Sequence, residues 1–519
     1  MSTPAAPLNS PVVVGRPEPR RERLRTATKW SFGLTLGKMA VTTGLSLYLA
    51  VLLGPEPFGV IAMALVFTGF IEMIQQQGLM PAIISRVELR REHADTAFWL
   101  VVGVGLAMTV IGIAVAPVWA VLNDLPQLGR VIQVLALGVP LTSTAIVHEA
   151  LLRRELDFKS LALRGWISVA IGGVAGVVAA FLGLGVWALV AQQLAMTLSG
   201  TIAIWLVSSW RPHWRFSKQA ASELWSYATR SASGSIGLFL GSRLDVILSG
   251  LFFGPVLVGL YRMGQRLATL TVDVTARSIQ QVSLPGLSEL RVDEEQFGTR
   301  LRSLQRLASS LTLPALGVLA GCAAGVERVL GSGWTGLALT IQLIAAAQAT
   351  RSVTLLIGPA LQSIGRPGTL SITVWVWTGL TAAALVGASF AGDGSLIGDL
   401  VALCGAIAFS TLAGSVFTLL VAFRVLPVRC IPFLSSCLPG AVGGVIGGSA
   451  AAGVLTISLD WPPLPHLALS GLAGIAVAAG AVFLMDARLR AIVVGRLRGL
   501  DKLHHKRDAF RAGSRTARL

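Results

Sequence analysis

Arg262, Arg266, Thr269, Asp273, Arg277 and Gln280 recur every three to four residues within an otherwise apolar run. At 100° per residue on an α-helix they share a stripe under about 90° wide. Its rise of about 27 Å is close to the thickness of membrane hydrocarbon. A charge at the centre of a membrane helix costs at least about 2.5–3.5 kcal/mol, so a stripe of this length is expected to line a water-accessible path. The competing reading is that its ends snorkel outward and that Asp273 bridges Arg277 one turn on. Arg230, Gly234, Gly237, Gly241 and Asp245 form a second stripe in the preceding run, from which Arg243 points away. Lys38 and Glu72 stand at similar depths, roughly 10–12 Å from one end of their helices, and are expected to form a buried pair, structural or gating. Arg351, one turn after Gln348, is the deepest single cation. With Glu149 added, seven Arg or Lys face four Asp or Glu inside the expected spans. An interior that is cationic on balance suits an anionic passenger.

These side chains need elements that can hold them in lipid, and composition says which. Hydrophobic residues make up 54 % of the 519-residue chain and charged residues only 13 %, against roughly 25 % charged in soluble domains. A mean hydropathy of +0.72 leaves too little polar surface to coat a soluble globule. The formal charge of +17 could suggest nucleic acid, but the basic residues lie in an arm, short loops and a tail. Membrane orientation explains them better, with attraction to anionic lipid second. Apolar runs near the roughly 20 residues that span hydrocarbon recur fourteen times, at about 31–53, 58–80, 96–122, 131–152, 162–182, 185–208, 225–250, 256–285, 303–326, 336–364, 370–391, 396–423, 432–456 and 465–486. Alternate connections are rich in Arg and Lys, among them Arg86, Arg90 and Arg91, then Arg153, Arg154, Lys159 and Arg164, then Arg211, Arg215 and Lys218. The intervening ones hold only Arg130 and Arg328. This alternation predicts fourteen helices with both termini cytoplasmic.

A repeat at an offset of 200 residues divides the helices. Leu53-Gly54-Pro55 with Phe58-Gly59 and Met63 reads like Phe253-Gly254-Pro255 with Val258-Gly259 and Met263. Arg164 and Arg366 fall in equivalent turns. Gly and Pro suit such turns for backbone reasons alone. Six helices per copy make the repeat parallel. The expected organisation is a basic arm (1–29), an N-lobe of helices 1–6 (30–215), a C-lobe of helices 7–12 (216–425), helices 13–14 (426–487) and a basic cytoplasmic tail (488–519).

Enzyme chemistry is not expected. Gly37-Lys38 is followed by Met39 and has no Gly five positions before it, so no phosphate loop exists. No loop is long enough for a catalytic domain, and no G-x-S-x-G occurs. Cys322, Cys404, Cys430 and Cys437 lie in or beside apolar runs and read as small hydrophobes. The six His lack ligand spacing. No metal or cofactor is expected, and the chain reads as a carrier.

The stretch Leu52-Leu53-Gly54-Pro55-Glu56-Pro57-Phe58-Gly59-Val60-Ile61-Ala62-Met63 resembles the first outer turn of the bacterial oligosaccharide flippases. These export O-antigen, capsule and exopolysaccharide units, and their superfamily includes MATE exporters and the lipid II flippase. Gln77-Gly78-Leu79 with Ala82-Ile83-Ile84, Leu151-Leu152-Arg153-Arg154-Glu155-Leu156-Asp157-Phe158, Leu284-Pro285-Gly286-Leu287-Ser288, and Ala360-Leu361 with Ile364-Gly365-Arg366-Pro367 are similar to later landmarks. The ordered set runs over roughly residues 30–430. The resemblance implies two six-helix lobes around a central cavity, working by alternating access in the bacterial inner membrane. The resemblance itself names no passenger; the expected one is an undecaprenyl-pyrophosphate-linked oligosaccharide, its glycan left open, or a similar polyprenyl carrier. Other partners are membrane lipid and the polysaccharide polymerase and export machinery; nucleic acid is not one, and the chain is expected to be a monomer. Arg262, Arg266, Arg277 and Arg351, with Arg230 and Lys38 nearer the cytoplasmic mouth, are the expected pyrophosphate and glycan path. Glu72, Glu149, Asp245 and Asp273 are candidates for ion coupling or pairing. The alternatives are a MATE-like exporter of small cations, a lipid II flippase, a polysaccharide polymerase or ligase, and a membrane scaffold.

Overall fold

The computed structural model describes residues 21–86, 89–290, 293–457, 461–486 and 490, with side chains described for all of these except 21–36, 77–79, 85, 227, 230–238, 278 and 282. Most of the expected basic arm and tail therefore lies outside the described residues, as does the side chain of Arg230. Among the described residues every regular element is helical. The first seven are α1 (Arg21–Leu53), α2 (Pro55–Ser85), α3 (Arg91–Leu122), α4 (Pro126–Ala136), α5 (Val139–Arg154), α6 (Phe158–Phe181) and α7 (Val186–Val207). Then come α8 (Lys218–Ser288), α9 (Glu294–Gly321), α10 (Ala323–Leu330), α11 (Leu337–Val353), α12 (Ile357–Ser363), α13 (Pro367–Ser389) and α14 (Leu396–Val425). The chain closes with α15 (Cys430–Ser435), α16 (Leu438–Ile457) and α17 (Pro463–Met485).

Eleven helical segments among the described residues are long and apolar enough to cross a membrane, or twelve if α9 and α10, which meet at 51°, form one span. The chain is an all-α, multi-pass membrane protein. The expected runs 225–250 and 256–285 both lie in α8, which is broken at Gly254. The residues fall into two compact units: Met1–Arg266 with Val329–Thr340 and Ser371–Gly414, and Leu267–Arg328 with Ile341–Leu370 and Ser415–Leu519.

In the first unit, the two Gly-Pro turns noted in the sequence share one backbone geometry. Gly54 has φ 73 and ψ −178, and Gly254 has φ 76 and ψ 175. Positive φ is open to glycine without steric penalty, and the following Pro supplies a fixed φ suited to a helix start. The turns also meet reciprocally. A Cβ on Gly59 would lie 1.7 Å from the Pro255 carbonyl oxygen, and one on Gly259 would lie 2.0 Å from that of Pro55.

On another face of this unit, the segment between α7 and α8 is strapped to the start of α3. Asp95 Oδ1 accepts the His213 N–H at 3.2 Å and Thr96 Oγ1 accepts the Ser217 N–H at 3.1 Å. Trp214 stacks on Trp99 with ring centroids 4.2 Å apart. Arg86 at the end of α2 is ion-paired with Glu223 in α8. That guanidinium's hydrogen bond holds the Glu223 carboxyl below the usual carboxylate range.

The second unit is held by glycines. A Cβ on Gly317 would lie 2.1 Å from the Gly444 carbonyl oxygen, and one on Gly321 would lie 2.2 Å from that of Gly448. Small residues let membrane helices approach until backbones touch, which supplies dispersion contact where no hydrophobic force separates helix from lipid. α16 is thus seated against α9, and α17 closes on α16 through Gly447 and Ala478. Asp486, fully buried at the end of α17, pairs with Arg306 of α9 at 2.9 Å. Overpacking costs about 1–3 kcal/mol in ordinary cores, and here the obstacle is backbone. Gly317→Val is therefore expected to cost about 3 kcal/mol, read as lower membrane abundance and earlier thermal aggregation than Gly453→Val. Gly453 has nothing within 4 Å of where its Cβ would stand.

Candidate functional site

A polar chamber of about 360 Å³ opens inside the first unit. Five helices line it: α1 with Lys38, α2 with Glu72, Gln75 and Gln76, α5 with Thr142, Glu149 and Arg153, α6 with Arg164 and Ser168, and α7 with Gln193 and Thr197. The glycines of α6 make the packing around it possible. Gly172 and Gly176 sit against Met196 and Gln192 of α7, and Gly173 against Leu45 of α1. Gly165 is covered by the Lys38 side chain, whose Nζ would be 3.2 Å from an added Cβ. A larger residue at 165 would push the ammonium out of place.

Glu149 is the chamber's electrostatic centre. Its Oε1 accepts from Arg153 Nε at 3.1 Å and Nη2 at 2.6 Å. Its Oε2 accepts from Arg164 Nη1 at 2.6 Å. Arg164 also donates Nε–H to the Gly200 carbonyl at 3.1 Å, which fixes the plane of its guanidinium. These are charge-assisted bonds, roughly twice as strong as neutral ones. Lys38 is within electrostatic reach of both Arg164 and Glu149, yet among the described residues no ion pair includes it. The lining thus holds three cations against two carboxylates.

The remaining walls offer amide and hydroxyl groups. Gln75 is fully buried and donates Nε2–H to Ser143 Oγ at 2.8 Å. Its Oε1 has no hydrogen-bond partner. Such an orphaned acceptor carries the cost of desolvation unless something polar reaches it. Donor and acceptor side chains of this kind suit the hydroxyls of a sugar.

A second polar cluster joins the two halves of α8 on either side of Gly254. Tyr261 donates its hydroxyl to Asp245, whose Oδ2 also accepts Gln265 Nε2–H at 3.0 Å. Arg262 donates to Gln265 Oε1. Arg266 Nη2 donates to the Thr42 carbonyl at 3.1 Å. Asp273 and Arg277 form the i,i+4 bridge at 3.5 Å, with the Arg277 side chain 52 % exposed. Arg351 is exposed in the last turn of α11. Arg262 and Arg266 belong to the first compact unit, and Arg277 and Arg351 to the second.

Residues 48–339 match the family model described as "Polysaccharide biosynthesis protein". The chain belongs to this family. It is a member of the polysaccharide and oligosaccharide flippases, a transport protein and not an enzyme. It is 27 % identical over 359 residues to the succinoglycan biosynthesis transport protein ExoT of Rhizobium meliloti (strain 1021), covering 69 % of this chain and 72 % of that one. The lipopolysaccharide biosynthesis protein WzxC of Escherichia coli (strain K12) is 24 % identical over 361 residues, covering 67 % and 71 %. In fold, the chain is similar to the lipid II flippase MurJ in its inward closed conformation. That match has a TM-score of 0.67 at 11 % identity over 90 % of this chain and 99 % of the other. An inward-facing MATE family multidrug transporter matches with a TM-score of 0.57 at 14 % identity over 78 % and 95 %.

The chamber of the first unit gathers more charged residues than the sequence suggests. Of the expected path residues, Lys38 lies in the chamber, together with Glu72 and Glu149 from the coupling set. Among the described residues Lys38 and Glu72 share this chamber without forming an ion pair. Arg243 of α8 lies within electrostatic reach of Glu72. Arg153 and Arg164 are the additions: the sequence marks them as basic residues of a connection and as landmarks, not as members of a site. The Glu149–Arg153 spacing of four residues is legible in the sequence, whereas Arg164 reaches Glu149 from the next helix.

Proposed function

We propose that this flippase moves a polyprenyl-pyrophosphate-linked oligosaccharide from the cytoplasmic to the outer leaflet of the inner membrane, for surface polysaccharide synthesis. The observation that carries the reading is the make-up of the chamber. Guanidinium and ammonium groups suit the pyrophosphate, and the Gln, Ser and Thr side chains suit the glycan. Relatives named for succinoglycan, lipopolysaccharide and teichuronic acid biosynthesis support the same class of passenger. The prenyl tail stays in lipid. Lys38 and Arg230 serve nearer the cytoplasmic mouth, with Arg262, Arg266, Arg277 and Arg351 as successive stations, so that no single site binds too tightly for release. A MATE-like exporter of small cations would want a net acidic chamber, opposite to the balance here.

Deletion in the native host tests the function. The expected result is loss of surface polysaccharide with lipid-linked repeat units accumulating on the cytoplasmic side. Normal polysaccharide without accumulation would refute it.

The finer architecture is proposed with it. Fourteen helices form two six-helix lobes (30–215 and 216–425) related by a parallel repeat and working by alternating access. Helices 13–14 (426–487) are appended, and both termini are cytoplasmic. The two matching Gly-Pro turns favour this repeat. Reporter fusions after residues 215 and 519 are expected to read cytoplasmic, and fusions after 255 and 395 to read outside. A cytoplasmic reading at 255 would break the fourteen-helix arrangement.

A further inference from the structure

The Glu149 carboxylate is held as a bound anion would be. Its two oxygens are taken by different arginines, Arg153 on Oε1 and Arg164 on Oε2, with N···O distances down to 2.6 Å. The side chains are 16 % exposed for Glu149, 46 % for Arg153 and 24 % for Arg164, so the pair of guanidiniums faces the cavity and is not sealed in a core. A bridge serving stability alone has no need of a 360 Å³ chamber beside it. Nor does it need a third cation, Lys38, on the same wall.

We propose that Glu149 is a resident counter-anion, and that the diphosphate of the passenger enters by displacing it from Arg153 and Arg164. The proposal rests on the flippase reading and deepens it. A pyrophosphate diester carries about two negative charges, one on each phosphate, and each phosphate can take the guanidinium that one Glu149 oxygen now occupies. In the empty chamber Glu149 keeps the two arginines oriented and neutralised. In the loaded chamber Glu149 swings aside while remaining tethered by its own backbone on α5, one turn from Arg153. Its return then competes with the diphosphate and drives release. Glu149 is thus a positioning residue: it sets how tightly the arginines hold a phosphate ligand without holding the ligand itself.

The test uses the full-length protein in lipid nanodiscs and a short probe, farnesyl-diphosphate-linked N-acetylglucosamine, titrated calorimetrically. Glu149→Gln removes the competing charge but keeps an acceptor oxygen, and is expected to bind the probe about tenfold more tightly than wild type. Its transport into vesicles is expected to slow, because release loses its competitor. Glu149→Asp keeps the charge but is too short to hold both arginines, and is expected to fall between the two. It also serves if Glu149→Gln folds poorly. Arg164→Ala is expected to weaken binding. A structural bridge predicts something else: melting temperatures fall and the affinity of both Glu149 variants is unchanged or weaker, which would overturn the proposal. Absence of saturable binding by the wild type would also overturn it. The deletion phenotype separates that outcome from failure of the flippase reading, since a strain lacking the protein then still loses its polysaccharide.

Discussion

Replacing Arg164 by alanine should cut polysaccharide export by between about tenfold and a hundredfold, the worth of losing a charge-assisted bond to a phosphate. The guanidinium is shaped for this task. Its Nη1 faces the Glu149 carboxylate and its Nε is anchored on the Gly200 carbonyl, so it presents a fixed edge to the chamber. The same change also removes a partner from a carboxylate that is only 16 % exposed. Breaking a fully buried pair costs about 3–5 kcal/mol. Glu149 retains two bonds from Arg153, so a loss of about 1–2 kcal/mol is expected here, seen as reduced abundance in the membrane. The two effects separate in a double variant. Adding Glu149→Gln to Arg164→Ala relieves the uncompensated charge and should restore abundance, but it supplies no cation and should leave export low. Recovery of both together would assign Arg164 to stability alone. Arg164→Lys, a point charge without the fork, should retain part of the export.

How far these residues were legible differs by the kind of information each needs. The membrane helices follow from apolar run length, and the Gly54 and Gly254 turns from Gly-Pro pairs that recur 200 residues apart. The shared depth of Lys38 and Glu72 follows from a rise of about 1.5 Å per residue, and both do line one chamber. Their pairing does not follow, because depth along two helices says nothing of which way each side chain turns. Lys38 lies over Gly165 toward Arg164, while Glu72 is within reach of Arg243. The helical stripe of α8 is real as a spacing, but its members already have protein partners: Gln265 for Arg262 and Asp273 for Arg277 on the same helix, and the Thr42 carbonyl of α1 for Arg266. Arg153 and Arg164 were hidden for the opposite reason. Both sit within two turns of a helix end, where a basic residue ordinarily signals membrane orientation. Only the fold brings them together on Glu149, Arg153 from one turn on in α5 and Arg164 from α6, whose glycines seat it against α1 and α7.

Replacing either Gly59 or Gly259 by valine should reduce export at least tenfold, and the double replacement should be little worse than either alone. The contact is backbone to backbone. The added Cβ atoms would fall 1.7 Å from the Pro255 oxygen and 2.0 Å from the Pro55 oxygen, with Gly59 N itself 3.2 Å from the Cβ on residue 259. No rotamer change relieves an overlap with a carbonyl that is already hydrogen-bonded into a helix start, so the segments beginning at Pro55 and Pro255 must move apart. Overpacking even flexible cores costs about 1–3 kcal/mol, and a rigid obstacle puts each single variant at the top of that range. Reciprocity then decides the double variant. Separating the turns to admit one valine removes the obstacle to the other, so the two costs are not additive, as expected for residues that share one joint. Gly44→Val is the control, since nothing lies within 4 Å of where its Cβ would stand. Export measured beside membrane abundance checks this directly. Additive losses would show that the two turns are independent, and normal export by Gly59→Val at normal abundance would show that they do not meet in the working protein.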